Sequence, residues 1–204
     1  MPQATVAVVY HSGYGHTAKQ AQAVFRGVAS IPTVHAELVE LSGDEPPWTL
    51  LEGADAIIFG APTYMGGQSA QFKAFQDATS SKVFPTAKWR DKLAAGFTNS
   101  AARSGDKLAT LQQFTIFAAQ HGMHWINLGL PPGNNASTGS ENDLNRLGIF
   151  LGAGSQSNAD QGADVAPPAA DLLTAEHLGR RVAAAALQFV RGRESVQPEL
   201  SLAE

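Results

Sequence analysis

Short apolar runs of strand length alternate with longer amphipathic segments along this chain, and that alternation restricts the fold more than any other feature of the sequence. Five runs have the length and composition of β-strands, and they span residues 4–10, 34–41, 55–60, 93–98 and 123–128. Most of them are apolar at consecutive positions, which is typical of parallel strands covered by helices on both faces. The runs therefore predict a parallel sheet buried between two helical layers.

The segments between these runs have the spacing of amphipathic helices. Residues 17–29 carry apolar side chains at Ala21, Val24, Phe25 and Val28, which is helical spacing. Comparable patterns predict further helices over 69–78, 106–120 and 173–190, the last of which has a stop signal at Gly192. Strands that alternate with such helices indicate βαβ units. We therefore expect an α/β fold with a doubly wound, parallel, five-stranded sheet.

The length of the chain suits one large domain, since domains typically have about 100–200 residues. We predict a single domain over residues 1–191 and a polar tail over 192–204. Two stretches, residues 129–146 and 152–170, are rich in Gly, Pro, Asn, Ser and Asp, and we interpret them as long excursions around the last strand. Excursions of this kind are usually functional or interfacial.

The composition excludes several classes of function. The chain has no cysteine, so disulfides, thiolate metal sites and cysteine nucleophiles are impossible. A net charge of −4 does not favour binding to nucleic acid, whose phosphates attract basic proteins. No apolar stretch is long enough to span a membrane and no basic segment precedes the first strand, so we expect a cytoplasmic protein without a signal peptide. The six histidines are too scattered to predict a metal site.

The loop after the first strand has the composition of an anion-binding turn. In this loop, HSGYGHT, Gly13 and Gly15 allow a tight turn, Ser12 and Thr17 supply hydroxyls, and the following helix supplies backbone N–H groups. The combination predicts a phosphate site without lysine or arginine. A plain strand–helix turn capped by Thr17 explains the same pattern, and the glycines match a dinucleotide fingerprint only weakly.

Two further loops would complete a site for a planar ring, because ligands of an open α/β sheet lie outside the carboxyl ends of its strands. The loop over residues 60–68 offers backbone amides together with Tyr64 and Met65, which suit one face of a flat heterocycle. The loop over 99–105 carries Arg103, which either stabilises negative charge on a reduced flavin or lies solvated at the surface. A phosphate site beside a ring site describes a mononucleotide, and we expect FMN.

Three blocks of sequence together resemble the WrbA-like branch of the flavodoxin-like quinone oxidoreductases. They are SGYGHT at residues 12–17, FGAPTY at 59–64 and HGM at 121–123. The resemblance covers roughly the first 130 residues and the final helix. It implies the flavodoxin-like strand order 2-1-3-4-5.

The resemblance also implies which residues would contact the cofactor and the substrates. The implied FMN-binding residues lie in the three loops and are Ser12, Gly13, Tyr14, Gly15, His16, Thr17, Pro62, Thr63, Tyr64, Met65, Gly66, Asn99, Ser100, Ala101, Ala102, Arg103 and Ser104. His121 corresponds to a family histidine at the flavin site and is the candidate catalytic residue. Tyr14 matches a tyrosine near the nicotinamide, and Phe84 aligns with a tryptophan that closes over the substrate.

By the same resemblance, the chain is expected to take two electrons from NADH or NADPH and pass them to a quinone, with both substrates using one face of FMN in turn. The alternatives are a flavodoxin-type electron carrier without nicotinamide turnover, and an FMN-binding scaffold without turnover. We expect a homodimer or homotetramer. The chain departs from the family in the loop over 99–104, at Tyr64, where a basic residue is common, and in the short segment 42–54.

Overall fold

The computed structural model describes residues 4–195, and a parallel sheet runs through its centre. The strands in chain order are β1 (Ala4–Tyr10), β2 (Val34–Glu40), β3 (Ala56–Tyr64), β4 (Gly67–Gln68), β5 (Leu93–Ser100), β6 (His124–Trp125) and β7 (Ala153–Gln156). The main path is β2-β1-β3-β5-β6 with parallel pairing, while β4 pairs antiparallel with β3. Because β4 is only a hairpin partner of β3, this path confirms the expected α/β fold and strand order.

Helices cover both faces of the sheet. They are α1 (His16–Ala29), α2 (Trp48–Gly53), α3 (Ala70–Lys82), α4 (Lys107–Gln120) and α5 (Ala169–Ser195), and a short 3₁₀ helix spans Phe84–Thr86. One buried cluster joins the sheet to α1 and α5, and the other joins it to α2, α3 and α4. Buried apolar residues thus fill both interfaces, as the two-sided apolar strands predicted.

The position beside β5 is shared by two short strands. β6 pairs with the first two residues of β5, and β7 pairs with its last four. The prediction of one strand over residues 123–128 is therefore wrong beyond Trp125. Strand β7 escaped prediction because its residues Ala153, Gly154 and Ser155 have little intrinsic strand preference. Close packing against β5 places this strand instead. A Cβ atom on Gly152 would lie 2.1 Å from the carbonyl oxygen of Gly96, so glycine allows the two backbones to approach.

Other elements also differ from the sequence predictions. Helix α3 ends at Lys82 rather than at residue 78, and helix α5 begins at Ala169 rather than at residue 173. Strand β3 continues to Tyr64, where a loop was expected from Gly60, because residues 60–62 keep pairing with β5. Helix α2 was not predicted. Helix α5 passes through Gly192 to Ser195, so the predicted stop at Gly192 is wrong, and the rest of the predicted tail, residues 196–204, lies outside the described residues.

Candidate functional site

The carboxyl ends of β1, β3 and β5 meet around a cavity of about 890 Å³, which we call the carboxyl-edge cavity. Its volume lies within the range of roughly 300–1,000 Å³ that is usual for small-molecule sites. Ten of its lining residues were predicted from the sequence: Tyr14, His16, Thr17, Pro62, Thr63, Tyr64, Met65, Asn99, Ser100 and Ala101. The structure therefore brings the three loops together around one cavity, as expected for the carboxyl ends of neighbouring parallel strands.

A fourth segment, residues 157–162, closes one side of this cavity and was missed as part of the site. It contributes Ser157, Ala159, Asp160, Gln161 and Gly162. The His16 ring bonds to it, since Nε2 lies 2.8 Å from the carbonyl oxygen of Gln161 and must donate to it. The signal available in the sequence was the polar composition of the excursion over residues 152–170.

The first loop presents the N-terminus of α1 to the cavity. The Ser12 hydroxyl oxygen accepts a hydrogen bond from the Ala18 N–H at 3.1 Å, which holds the loop onto the first turn of the helix. Gly15 has a φ of 85° in the left-handed region that favours glycine. Thr17 is buried and lines the cavity, and no described residue bonds to its hydroxyl. Ser12, Gly13 and Gly15 flank the cavity without lining it.

The turn after β3 places two large exposed side chains at the mouth of the cavity. Met65 and Gly66 both have positive φ, of 47° and 84°, which is the conformation of a two-residue type I′ hairpin turn between β3 and β4. The Tyr64 ring contacts the Tyr14 ring edge-on at 6.1 Å between centroids. The mouth is therefore lined by two aromatic rings and a thioether, while Gly66 lies outside the lining.

Behind this turn, three threonine hydroxyls form a chain that fixes the orientation of Thr63. The Thr98 hydroxyl donates to the carbonyl oxygen of Ala61 at 2.7 Å. It must therefore accept from Thr63 at 2.8 Å, and Thr63 in turn accepts from Thr110 at 2.7 Å. The single proton of the Thr63 hydroxyl is thus directed into the core, so a ligand in the cavity meets Thr63 as an acceptor or through its methyl group.

The loop after β5 is tied to its surroundings by side-chain contacts. The Asn99 side-chain oxygen accepts from the hydroxyls of Ser155 and Ser157, at 2.8 and 2.9 Å. The guanidinium of Arg103 pairs with Glu141 at 2.8 Å and is mostly exposed, so Arg103 does not line the cavity. Ala102 and Ser104 also lie outside the lining. Glu141 belongs to the excursion over residues 129–146, which sequence analysis did not connect to this loop.

His121 and Phe84 lie at the opposite, amino-terminal edge of the sheet. They line a separate groove of about 580 Å³ between α3 and α4, and their rings contact each other at 5.8 Å. Thr79 donates to the Gln76 carbonyl oxygen, so His121 Nε2 carries the proton of its 2.9 Å bond to Thr79. Burial lowers the pKa of His121. Within one chain, these two candidates therefore lie apart from the seventeen predicted residues of the three loops.

Other classes of site are not apparent in the part of the chain that the structure describes. Among residues 4–195, no three His, Asp or Glu side chains form a group that could hold a metal ion. None of the helices in that range is long and apolar enough to cross a membrane.

Comparison with known proteins gives a consistent set of relatives. A family model described as NADPH-dependent FMN reductase matches residues 48–135. The chain is 46% identical over 180 residues to a protein of Pseudomonas aeruginosa named flavodoxin FldP, and the match covers 86% of this chain and 93% of that one. It is 33% identical over 202 residues to an NAD(P)H dehydrogenase (quinone) of Archaeoglobus fulgidus, with coverage of 88% and 96%.

A solved structure agrees with these sequence matches. It is described as a flavodoxin, WrbA-like protein from Agrobacterium tumefaciens, and it superposes with a TM-score of 0.72 at 41% identity. The superposition covers 91% of this chain and 99% of that chain. The likeness thus extends over most of the length of both chains.

Proposed function

Since the chain belongs to the WrbA-like branch of the flavodoxin-like proteins, we propose that it binds FMN in the carboxyl-edge cavity and transfers two electrons from NADH or NADPH to a quinone. The observation that carries the proposal is the meeting of three strand ends around one cavity of about 890 Å³. FMN, when bound, supplies the redox chemistry. The contribution of the chain is to bind the cofactor, orient it and exclude water.

The phosphate end of the cavity fits an anion that is bound without lysine or arginine. Asp160 is the only Asp, Glu, Lys or Arg side chain in the lining. The donors are the first N–H groups of α1, which have no acceptor within the helix, and the hydroxyls of Ser12 and Thr17. Thr17 is buried as a residue, and its hydroxyl has no hydrogen-bond partner among the described residues, so a phosphate oxygen would satisfy it.

The ring end of the cavity fits a flat heterocycle. Tyr64, Met65 and Tyr14 form an apolar, exposed wall, and Tyr14 is 78% exposed. On the other side, Asn99 keeps its NH₂ group free of described partners because its oxygen takes both serine hydroxyls. We assign the ring to the space between these walls, with Asn99, Ser100 and Ala101 along its pyrimidine edge. Tyr14 is then placed where a nicotinamide or quinone would stack.

Binding of FMN and riboflavin to the apoprotein tests the phosphate assignment. Hydrogen bonds to charged groups contribute about 1.5–3 kcal/mol each, so FMN should bind at least about tenfold more tightly than riboflavin. A Thr17→Val variant should reduce this preference while leaving riboflavin affinity nearly unchanged. Equal affinities for FMN and riboflavin in the wild-type protein would contradict the assignment.

The second candidate function is electron transfer to a protein partner without nicotinamide turnover. The relative named a flavodoxin, at 46% identity, favours it, and so does the exposure of Tyr14 and Met65 at the cavity mouth. Sustained oxidation of NADH or NADPH in the presence of benzoquinone would support the quinone reductase. Stoichiometric reduction without turnover would support the carrier.

Roles for His121 and Phe84 at the flavin require a second copy of the chain, because both lie at the opposite edge of the sheet. We propose a homodimer or homotetramer in which the α3–α4 groove of one copy faces the carboxyl-edge cavity of another. The exposed Phe84 and Ile116 at this groove support such an interface. Analytical ultracentrifugation of wild-type protein and an Ile116→Glu variant tests it. Wild-type protein that sediments as a monomer would contradict the assembly.

A further inference from the structure

A buried lysine holds the loop after β5 from behind, and the proposed function does not use it. Lys107 is the first residue of α4 and is only 1% exposed. Its Nζ atom donates to the Ser100 hydroxyl oxygen at 2.6 Å and to the carbonyl oxygens of Ala102 and Arg103 at 2.6 and 3.0 Å. One ammonium group therefore fastens three positions of the loop that lies beside the carboxyl-edge cavity.

The position of Lys107 is unfavourable for a cation. The N-terminus of a helix carries positive partial charge, so an ammonium group there is repelled. Burial is the main reason that the pKa of Lys107 falls to about 8, with a smaller lowering by Arg146 that Asp171 opposes. Lysine is also rarely buried unless it is paired. Since neither the helix dipole nor core packing favours Lys107, the loop that it holds is the feature that accounts for it.

The contacts of Lys107 determine which way the loop amides point. The side-chain NH₂ of Gln156 donates to the Ala101 carbonyl oxygen at 2.9 Å, so three consecutive carbonyls, at residues 101–103, are held by side-chain donors. In a trans peptide the N–H points opposite to the preceding C=O. The N–H groups of Ala102, Arg103 and Ser104 are therefore turned away from those donors. No described residue accepts from them.

We propose that Lys107 is a positioning residue for the flavin: it holds the loop over residues 100–104 so that Ser100 and Ala101, which line the cavity, and the free amides that follow them stay beside the pyrimidine end of the ring, and its charge stabilises the reduced, negatively charged cofactor. This inference rests on the proposed function. Arg103 is the one charged residue within the loop over residues 100–104, and its guanidinium is already paired with Glu141 at the surface. Lys107 contacts only neutral oxygens, so its charge is not cancelled by a direct ion pair.

A Lys107→Met variant tests the proposal, since methionine keeps the apolar stem and removes the ammonium group. We expect about tenfold weaker FMN binding, as for loss of one hydrogen bond to a charged group, and a lower two-electron midpoint potential of bound FMN. In the apoprotein, backbone NMR order parameters of residues 101–104 should fall from about 0.85 towards about 0.6. FMN affinity and potential equal to those of the wild type would overturn the proposal.

Lys92 offers a matched control at the other edge of the sheet. Lys92 is less buried than Lys107, but burial lowers its pKa too. Its Nζ donates to the carbonyl oxygens of Glu52 and Ala54. A Lys92→Met variant therefore removes a similar buried charge far from the cavity, and it should leave FMN affinity and potential unchanged. Equal losses in both variants would mean that general destabilisation, and not positioning, explains the effect of Lys107→Met.

A pH series on the wild-type protein provides a test without mutation. The charged groups that act on Lys107 are Asp171 of α5 and Arg146. With the pKa of Lys107 at about 8, FMN affinity should fall as the pH rises through this value in the wild type and stay flat in Lys107→Met. Parallel pH profiles would overturn the proposal.

Failure of the proposed function is distinguishable from failure of this inference. Wild-type protein that binds no FMN at pH 7 would contradict the proposed function. In that case a rigid apoprotein loop in Lys107→Met would still refute the positioning role.

Discussion

A Cβ atom on Gly13 would lie 2.4 Å from the hydroxyl oxygen of Tyr64, so the first loop and the end of β3 touch at the mouth of the carboxyl-edge cavity. This separation is shorter than any ordinary contact between a carbon and an oxygen atom. A side chain at residue 13 would therefore force the Tyr64 ring to move. The contact joins the loop assigned to the phosphate with the residue assigned to the ring.

Replacing Gly13 with alanine should displace the Tyr64 ring from its place at the cavity. The clashing atom is the far end of a partly exposed side chain that can move aside, so we expect a loss of up to about tenfold in FMN affinity, at the low end of the effects of overpacking. In a Gly13→Ala, Tyr64→Phe double variant the nearest ring carbon is 3.4 Å away, an ordinary contact, and part of the affinity should return. A double-mutant cycle on FMN binding measures this coupling. Gly53→Ala is the control, because nothing lies within 4 Å of its added Cβ; additive effects would count against the contact.

The threonine chain behind the cavity should respond unequally to the loss of its members. Thr98→Val leaves the Ala61 carbonyl oxygen without its donor and the Thr63 hydroxyl without its acceptor, and we expect a loss of about 1–3 kcal/mol in the free energy of unfolding. Thr110→Val removes a donor but leaves no donor stranded, so its effect should be about 0.5–1 kcal/mol. Urea unfolding of the apoproteins gives both values. Equal losses would refute the assigned direction of the chain.

The buried ion pair between Arg146 and Asp171 should be the most sensitive charged contact in the fold. Arg146 Nε lies 2.7 Å from one carboxylate oxygen of Asp171, and both side chains are nearly inaccessible to solvent. Arg146→Met leaves the carboxylate buried without its partner, and we expect a loss of about 3–5 kcal/mol. The exposed pair of Arg180 with Glu176 is the comparison, and Arg180→Met should change stability by less than about 1 kcal/mol. Equal losses in urea unfolding would contradict this ranking.

Stability should fall as the pH is lowered below the ordinary pKa of histidine. Burial lowers the pKa of His121 in the folded chain, so the unfolded chain binds the proton more readily. The stability contributed by neutral His121 is therefore present above about pH 6.5 and is lost as the pH falls through the lower folded pKa. His121→Gln keeps a donor for Thr79 but cannot titrate. Its unfolding free energy should depend less steeply on pH between 7 and 5, although His11 and His177 shift in the same direction. An unchanged slope would mean that His121 does not contribute.

The sequence was sufficient for the parts of the site that depend on strand ends. Apolar runs located β1, β3 and β5, and parallel strands place their carboxyl ends at one edge, so the three loops had to meet. Chain direction also carried a signal that went unused for His121. Helix α4 begins at the carboxyl edge and runs back to the other one, so the residue that follows it must lie at the amino-terminal edge.

Other features depend on tertiary contacts that no local pattern reveals. The segment over residues 157–162 reaches the cavity because β7 pairs with β5 across an insertion of more than twenty residues. The sequence left Arg103 either beside a flavin or solvated at the surface, and it could not reveal that Glu141 from a distant excursion pairs with it. Lys107 had one local signal, since a cation at the first position of a helix opposes the helix dipole.

The most direct test of the central claim is titration of the apoprotein with FMN followed by NADPH or NADH and benzoquinone, monitored in the visible spectrum. The account predicts one FMN bound per chain, bleaching in a single two-electron step and sustained NAD(P)H oxidation that continues until the benzoquinone is consumed. FMN bound tightly, with reduction in two separate one-electron steps and no turnover, would contradict the quinone reductase and support the electron carrier.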